Sequence, residues 1–186
     1  MDTFSFLSVL FSVIMGLALT EILQGFRKLI LARHRVTVYW PALLWSGLMI
    51  LVISQAWWGM FAMHGLSRWN FAMYAVVVFQ ITLMYLAAGV ASPEVPDEGP
   101  VDMRAAYFAN SRWFFGLLAV TVVATFMKDY VIGGRIEALP NSLILAYYFA
   151  IFVIAAITRA SWFHWALAPA TALGIVLNAA LLSFRL

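Results

Sequence analysis

Cysteine is absent from this chain of 186 residues. That excludes disulfides, thiol catalysis, iron–sulfur clusters and cysteine-ligated zinc. Charge is scarce as well: Asp, Glu, Lys and Arg make up 10% of the residues, against about 25% in ordinary soluble domains. No phosphate-binding loop, GxSxG elbow, dinucleotide fingerprint or HExxH spacing occurs. The histidines are His34, His64 and His164. All fall near the ends of apolar runs, too close to a membrane boundary to hold a haem between two histidines inside a bundle. No serine has an evident base. An enzyme is therefore not expected, nor is a metal or other cofactor.

What fills the chain is apolar. Hydrophobic residues reach 65% and the mean hydropathy is +0.95. A small water-soluble domain leaves too much of its surface exposed to hide that much hydrocarbon, so lipid is the expected solvent. The formal charge of +3 does not point to nucleic acid, because the basic residues stand at the ends of apolar segments, where membrane topology puts them.

A helix needs about 20 mostly apolar residues to cross the hydrocarbon. Six segments qualify approximately: 4–29, 38–63, 71–91, 113–133, 140–158 and 162–182. The expected fold is all-α, a single polytopic membrane domain spanning residues 1–186. The first segment is not read as a signal peptide, because no Lys or Arg precedes it and no clear cleavage site follows. One polar loop stands out, residues 92–104, rich in proline and acid. The other gaps hold only turns, so consecutive helices are expected to be antiparallel neighbours. Pro41 and Pro140 each open the middle helix of a three-helix half, the arrangement that an inverted repeat would give.

Lys and Arg set the orientation. With the N-terminus outside, the inner side collects Arg27, Lys28, Arg33, Arg35, Arg104, Arg112 and Arg159, and the outer side keeps Arg68, Lys128, Arg135 and Arg185. Both termini are thus expected outside, in a bacterial inner membrane. Tryptophans cluster at span ends, as interfacial belts require. The fourth span is a difficulty: residues 113–127 give only about 22 Å of uninterrupted apolar helix. Lys128 and Asp129 near its end are expected to snorkel to the interface.

Ionisable groups in hydrocarbon are costly and mark candidate sites. Glu21 lies about 26 Å along the first helix, counted from Phe4, in the expected inner third of the membrane. On the same helix Ser5, Ser8, Ser12, Gly16, Thr20, Gln24 and Arg27 recur every three or four residues, forming one polar and small stripe that Glu21 borders. Two readings stand. In one, the stripe lines a hydrated ion or proton path through Ser8, Ser12, Thr20, Glu21 and Gln24. In the other, the more common role of such residues, the stripe packs against a helix and Glu21 is neutralised by Arg112 or Arg159. A second small-residue face, Ala166, Ala170, Gly174 and Asn178, reads as close helix packing. Gln55 and Gln80 suit interhelical hydrogen bonds.

The leading expectation for function is a small channel or transporter for an ion, proton or small solute, working as a homo-oligomer. The alternative is a non-catalytic accessory or assembly subunit that binds other membrane proteins. The lipid bilayer is a partner in both.

Overall fold

The computed structural model describes residues 3–66, 68–92, 95–96, 98–134 and 139–183, without the side chains of Pro140 and residues 177–183. Apolar runs that satisfy their own backbone hydrogen bonds become helices, and the described residues form six. These are α1 (Thr3–Leu31), α2 (Trp40–Met60), α3 (Phe71–Ala91), α4 (Met103–Gly133), α5 (Leu139–Ile157) and α6 (Ser161–Ser183). Four are long and apolar enough to cross a membrane: α1, α2 with the 3-10 turn that extends it to Gly65, α3 and α4. The apolar stretch described in α5, Asn141–Ile157, is shorter.

Helices α1 and α4 exceed the rest. At 29 and 31 residues they run about 44 and 46 Å at 1.5 Å per residue. The fourth helix starts ten residues before the expected boundary at 113. Its N-cap is Asp102, whose carboxylate accepts hydrogen bonds from the Arg104 and Ala105 amides at 2.9 and 3.1 Å. That satisfies two of the orphan donors of a helix start. The shortage of helix expected in this span therefore does not arise. At the other end, Gly134 adopts φ 66°, and its amide donates to the Tyr130 carbonyl at 2.9 Å. A left-handed residue is the usual stop for a helix, and glycine adopts it without strain.

Helix α1 buries Phe11, Met15, Ala18, Ile22, Gly25 and Leu29. The alternating steps of four and three give one narrow apolar stripe, and it packs on α3 and α2. Helix α3 also packs on α4, α4 on α5, and α2 on α6. The main core is strongly aromatic around Trp45, Phe114, Phe115 and Phe152. Two amides tie helices together: Gln80 Nε2 donates to Thr125 Oγ1 at 2.7 Å, and Gln55 Nε2 to the Ile175 carbonyl at 3.0 Å.

Cross-helix contacts fix the alternation. The start of α2 meets the end of α3 through Ser46 Oγ and the Ala91 carbonyl, at 2.9 Å. The starts of α4 and α6 meet through Tyr107 and His164. At the far end, the start of α1 meets the connection from α2 to α3 through Phe4, His64 and Trp69. Arg27, Lys28, Arg33, Arg35, Arg104, Arg112 and Arg159 thus belong to one end of the bundle, the basic end.

The halves do not repeat. In the first, α1 packs on α3; in the second, α4 packs chiefly on α5. Inversion would place the extra turns of α1 and α4 at opposite ends, whereas both project at the basic end. There the described part of the expected loop makes specific contacts. Strand β1 (Val36–Thr37) pairs in parallel with β2 (Val101–Asp102), and Arg35 donates to the Gly99 and Pro96 carbonyls. A small second core of Leu29, Tyr39, Ala42 and Met103 lies beneath.

Candidate functional site

The polar stripe of α1 runs from the half-buried edge of the helix to its outward face. At about 100° per residue, Thr20 falls opposite the buried line through Ala18 and Ile22, with Ser12 and Gln24 on either side of it. Thr20 and Gln24 are exposed, and Ser8, Ser12 and Gly16 are half-buried. A Cβ added at Gly16 would meet nothing within 4 Å, so its small size serves no contact within one chain. The hydroxyls bond to their own helix. Ser8 Oγ donates to the Ser5 carbonyl at 3.0 Å, Ser12 Oγ to Ser8 at 2.7 Å, and Thr20 Oγ1 to Gly16 at 2.8 Å. Such back-bonding removes the penalty of a bare hydroxyl in hydrocarbon and leaves each oxygen with spare acceptor capacity.

Glu21 lies toward the basic end of the bundle. Its carbonyl accepts a hydrogen bond from Ser92 Oγ at 3.0 Å, which places it level with the end of α3. Helix α1 continues ten residues further, about 15 Å. The side chain is half-buried and forms no ion pair with Arg112 or Arg159, both of which are exposed. For Arg112 the reason is topological: α3 stands between α1 and α4. Among the described residues, Lys128 and Asp129 do pair, at 3.4 Å and partly buried, although neighbours on a helix point about 100° apart.

The small-residue face of α6 divides. Ala166 and Ala170 are exposed, while the contact face of α6 carries His164, Leu167, Ala168 and Thr171. Gly174 is held close: a Cβ there would come within 2.6 Å of Tyr148 Oη. Close approach within the chain is therefore real at Gly174 and absent at the two alanines, which lie on the opposite face of the helix. The side chain of Asn178 lies outside the described residues.

The residue that pattern reading undervalued is His164. It is fully buried, ringed by Tyr107, Phe108, Phe115 and Phe163. Its Nε2 faces the Thr158 carbonyl at 2.8 Å, and its Nδ1 faces Tyr107 Oη at 2.9 Å. A carbonyl can only accept, so Nε2 carries a proton. In the neutral ring Nδ1 then accepts from Tyr107. The group joins α4, the end of α5 and α6; beside it the Tyr39 ring packs on Tyr107 with centroids 5.2 Å apart, and Tyr39 Oη lies 3.3 Å from Ser161 Oγ. Beside it, a cavity of about 40 Å³ is lined in part by Trp45, Ser92, Tyr107, Asn110 and Ser111, room enough for a water molecule. The sequence signal was present as Tyr39, Tyr107 and His164 in segments near one end, but nothing local links them.

Among the described residues no group of three or more His, Cys, Asp or Glu side chains is arranged to hold a metal ion. Compared with protein families, with characterised proteins and with solved structures, the chain matches none.

Proposed function

We propose that this chain is a six-span membrane protein that works in association, as a non-catalytic subunit, with the polar and small face of α1 as its contact. Every helix supports the membrane reading by exposing large apolar side chains, among them Leu10, Leu51, Phe79, Val120, Ile154 and Leu173. Such a surface suits hydrocarbon and would be an aggregation hazard in water. The gathering of basic residues at one end favours that end as cytoplasmic, with the N-terminus outside.

One observation carries the choice of function: Thr20 and Gln24 face outward, opposite the face that α1 buries, and the stripe runs from them through Gly16 and Ser12 to Ser8 at the half-buried edge of the helix. Outside a bundle in lipid, small and hydroxyl side chains favour a second helix, because backbones approach closely and hydrogen bonds form across the contact. Transport is the second reading, favoured by the same stripe. A hydrated path for an ion or small solute would then lie between chains along α1.

Cysteine-free sequence makes the test direct. Single cysteines at Ser12 or Thr20 should cross-link between chains in native membranes, or to a co-purifying membrane protein, while one at the buried Leu48 should not. Ion or proton flux in liposomes, measured on the same preparations, separates transport from assembly. Absence of cross-links at Ser12 and Thr20, with Leu48 equally inert, would leave α1 facing lipid and sink the association reading.

A further inference from the structure

Two apolar grooves meet at Leu43, near the start of α2. One runs between α2 and α6, about 410 Å³ in volume, walled by Trp40 and Trp165 and floored by Gly47, Ala168 and Pro169. The other, about 300 Å³, runs from Leu43 past Val38 and Val36 to Arg33, against the end of α1. Leu43 lines both, so together they form one track with a guanidinium at its basic-end terminus.

The chemistry along the track changes once. The α2–α6 part carries no charged side chain, and its two indoles are exposed, as befits rings at the level of lipid headgroups. At the other terminus, Arg33 is exposed, and one of its guanidinium nitrogens donates to the Ile30 carbonyl at 3.2 Å. That bond fixes the side chain and leaves further N–H groups of the fork open to a phosphate oxygen. His34 and Lys28, also exposed, lie nearby in sequence. A hydrocarbon-lined furrow ending at a cation is complementary to a molecule with an apolar tail and an anionic head.

We propose that this track is a binding site for an anionic phospholipid of the leaflet at the basic end, with an acyl chain along α2 and α6 and the phosphate at Arg33. The site does not depend on the α1 contact. It does rest on the membrane reading of the fold. A Cβ at Gly47 would meet nothing within 4 Å, so a large side chain there enters the furrow without disturbing the helix behind it. Gly47→Phe thus blocks the tail, and Arg33→Gln removes the charge that selects the head.

The experiment is native mass spectrometry of the full chain after exchange into vesicles of phosphatidylcholine with or without phosphatidylglycerol, alongside alkaline extraction of the membranes. The wild type should retain phosphatidylglycerol in preference to phosphatidylcholine. Arg33→Gln should reduce that preference about fivefold, the scale of one basic side chain at an anionic surface. Gly47→Phe should reduce retention of both lipids. Equal retention of the two lipids by wild type, or an undiminished preference in Arg33→Gln, overturns the site. Release of the protein by alkaline extraction would instead overturn the membrane reading on which it rests.

Discussion

The two ends of the bundle spend their polar residues differently. At the basic end, side chains far apart in sequence bind one another. Arg35 reaches the loop carbonyls of Pro96 and Gly99, Tyr39 reaches Ser161, and Tyr107 reaches His164, which reaches Thr158. At the opposite end, the contacts of Asn70 with Met73 and of Lys128 with Asp129 are local, and aromatic rings meet across the chain: Phe4 with His64 and Trp69, and Phe11 with Tyr74; between the two ends, Gln55 and Gln80 tie α2 to α6 and α3 to α4. Local pairs hold one helix, whereas bonds across 57 or 122 residues of sequence close long loops and constrain the packing of several helices at once. Among the described residues, the basic end thus gathers several such long-range ties in one place.

The largest effect that would break this contrast lies at His164. Replacing it with leucine keeps the bulk but strands the Tyr107 hydroxyl and the Thr158 carbonyl in an apolar ring. Each of the two stranded groups costs about 1–3 kcal/mol, so a loss of roughly 2–6 kcal/mol is expected. Thermal melting in detergent measures it, with His164→Gln as a partial rescue because an amide both donates and accepts. A leucine variant that melts with wild type would show that the aromatic packing alone holds this end.

A smaller effect is expected at Arg35. Its two bonds hold the segment that leads into β2, so Arg35→Ala should loosen residues 98–102 locally by about 1.5–3 kcal/mol, the range for a hydrogen bond involving a charged group. Hydrogen exchange at the Val101 and Asp102 amides should accelerate well before global melting changes. Unaltered exchange there would assign the pinning to the short strand pair and to the buried Val101 and Met103 side chains.

How much of this was legible beforehand follows the range of the interactions. Helix existence is readable because a run of about 20 apolar residues is long enough to form a helix that could cross a membrane. The third helix fell on residues 71–91, as its hydropathy implied. The start of α4 is hidden from a hydropathy count because Arg104, Asn110 and Arg112 interrupt the apolar run, although Asp102 supplies a helix-starting carboxylate just before them. The α1 stripe was visible as a stripe, but periodicity cannot say which of two faces turns inward. Glu21 was placed by counting along one helix, and only its contact with Ser92 shows the level at which it sits. Ala166 and Ala170 share a spacing with Gly174, yet small size alone did not distinguish a contact from an outward face. The His164 cluster was out of reach, since its members meet only after three helices have packed.

The smallest effect is expected at Glu21, which lies at the basic end without belonging to its side-chain network. Its tie to the neighbouring helix runs through its backbone carbonyl, which any residue supplies. The carboxylate itself is half-buried and makes no ion pair with Arg112 or Arg159. Level with the end of α3, it is within reach of the interface, where the cost of a charge is far below that at the bilayer centre. Glu21→Gln preserves shape and the backbone bond and removes only the charge. The expected change in stability is within about 0.5 kcal/mol, typical of substitutions away from buried networks, measured by the same melting assay as His164. A loss comparable to that at Arg35 would mean that the carboxylate holds a partner in the assembled protein, and cross-linking through α1 in the same variant would then identify whether that partner is a second chain. If stability is unchanged while liposome flux falls, the charge serves a path along α1, and the transport reading gains over the assembly reading.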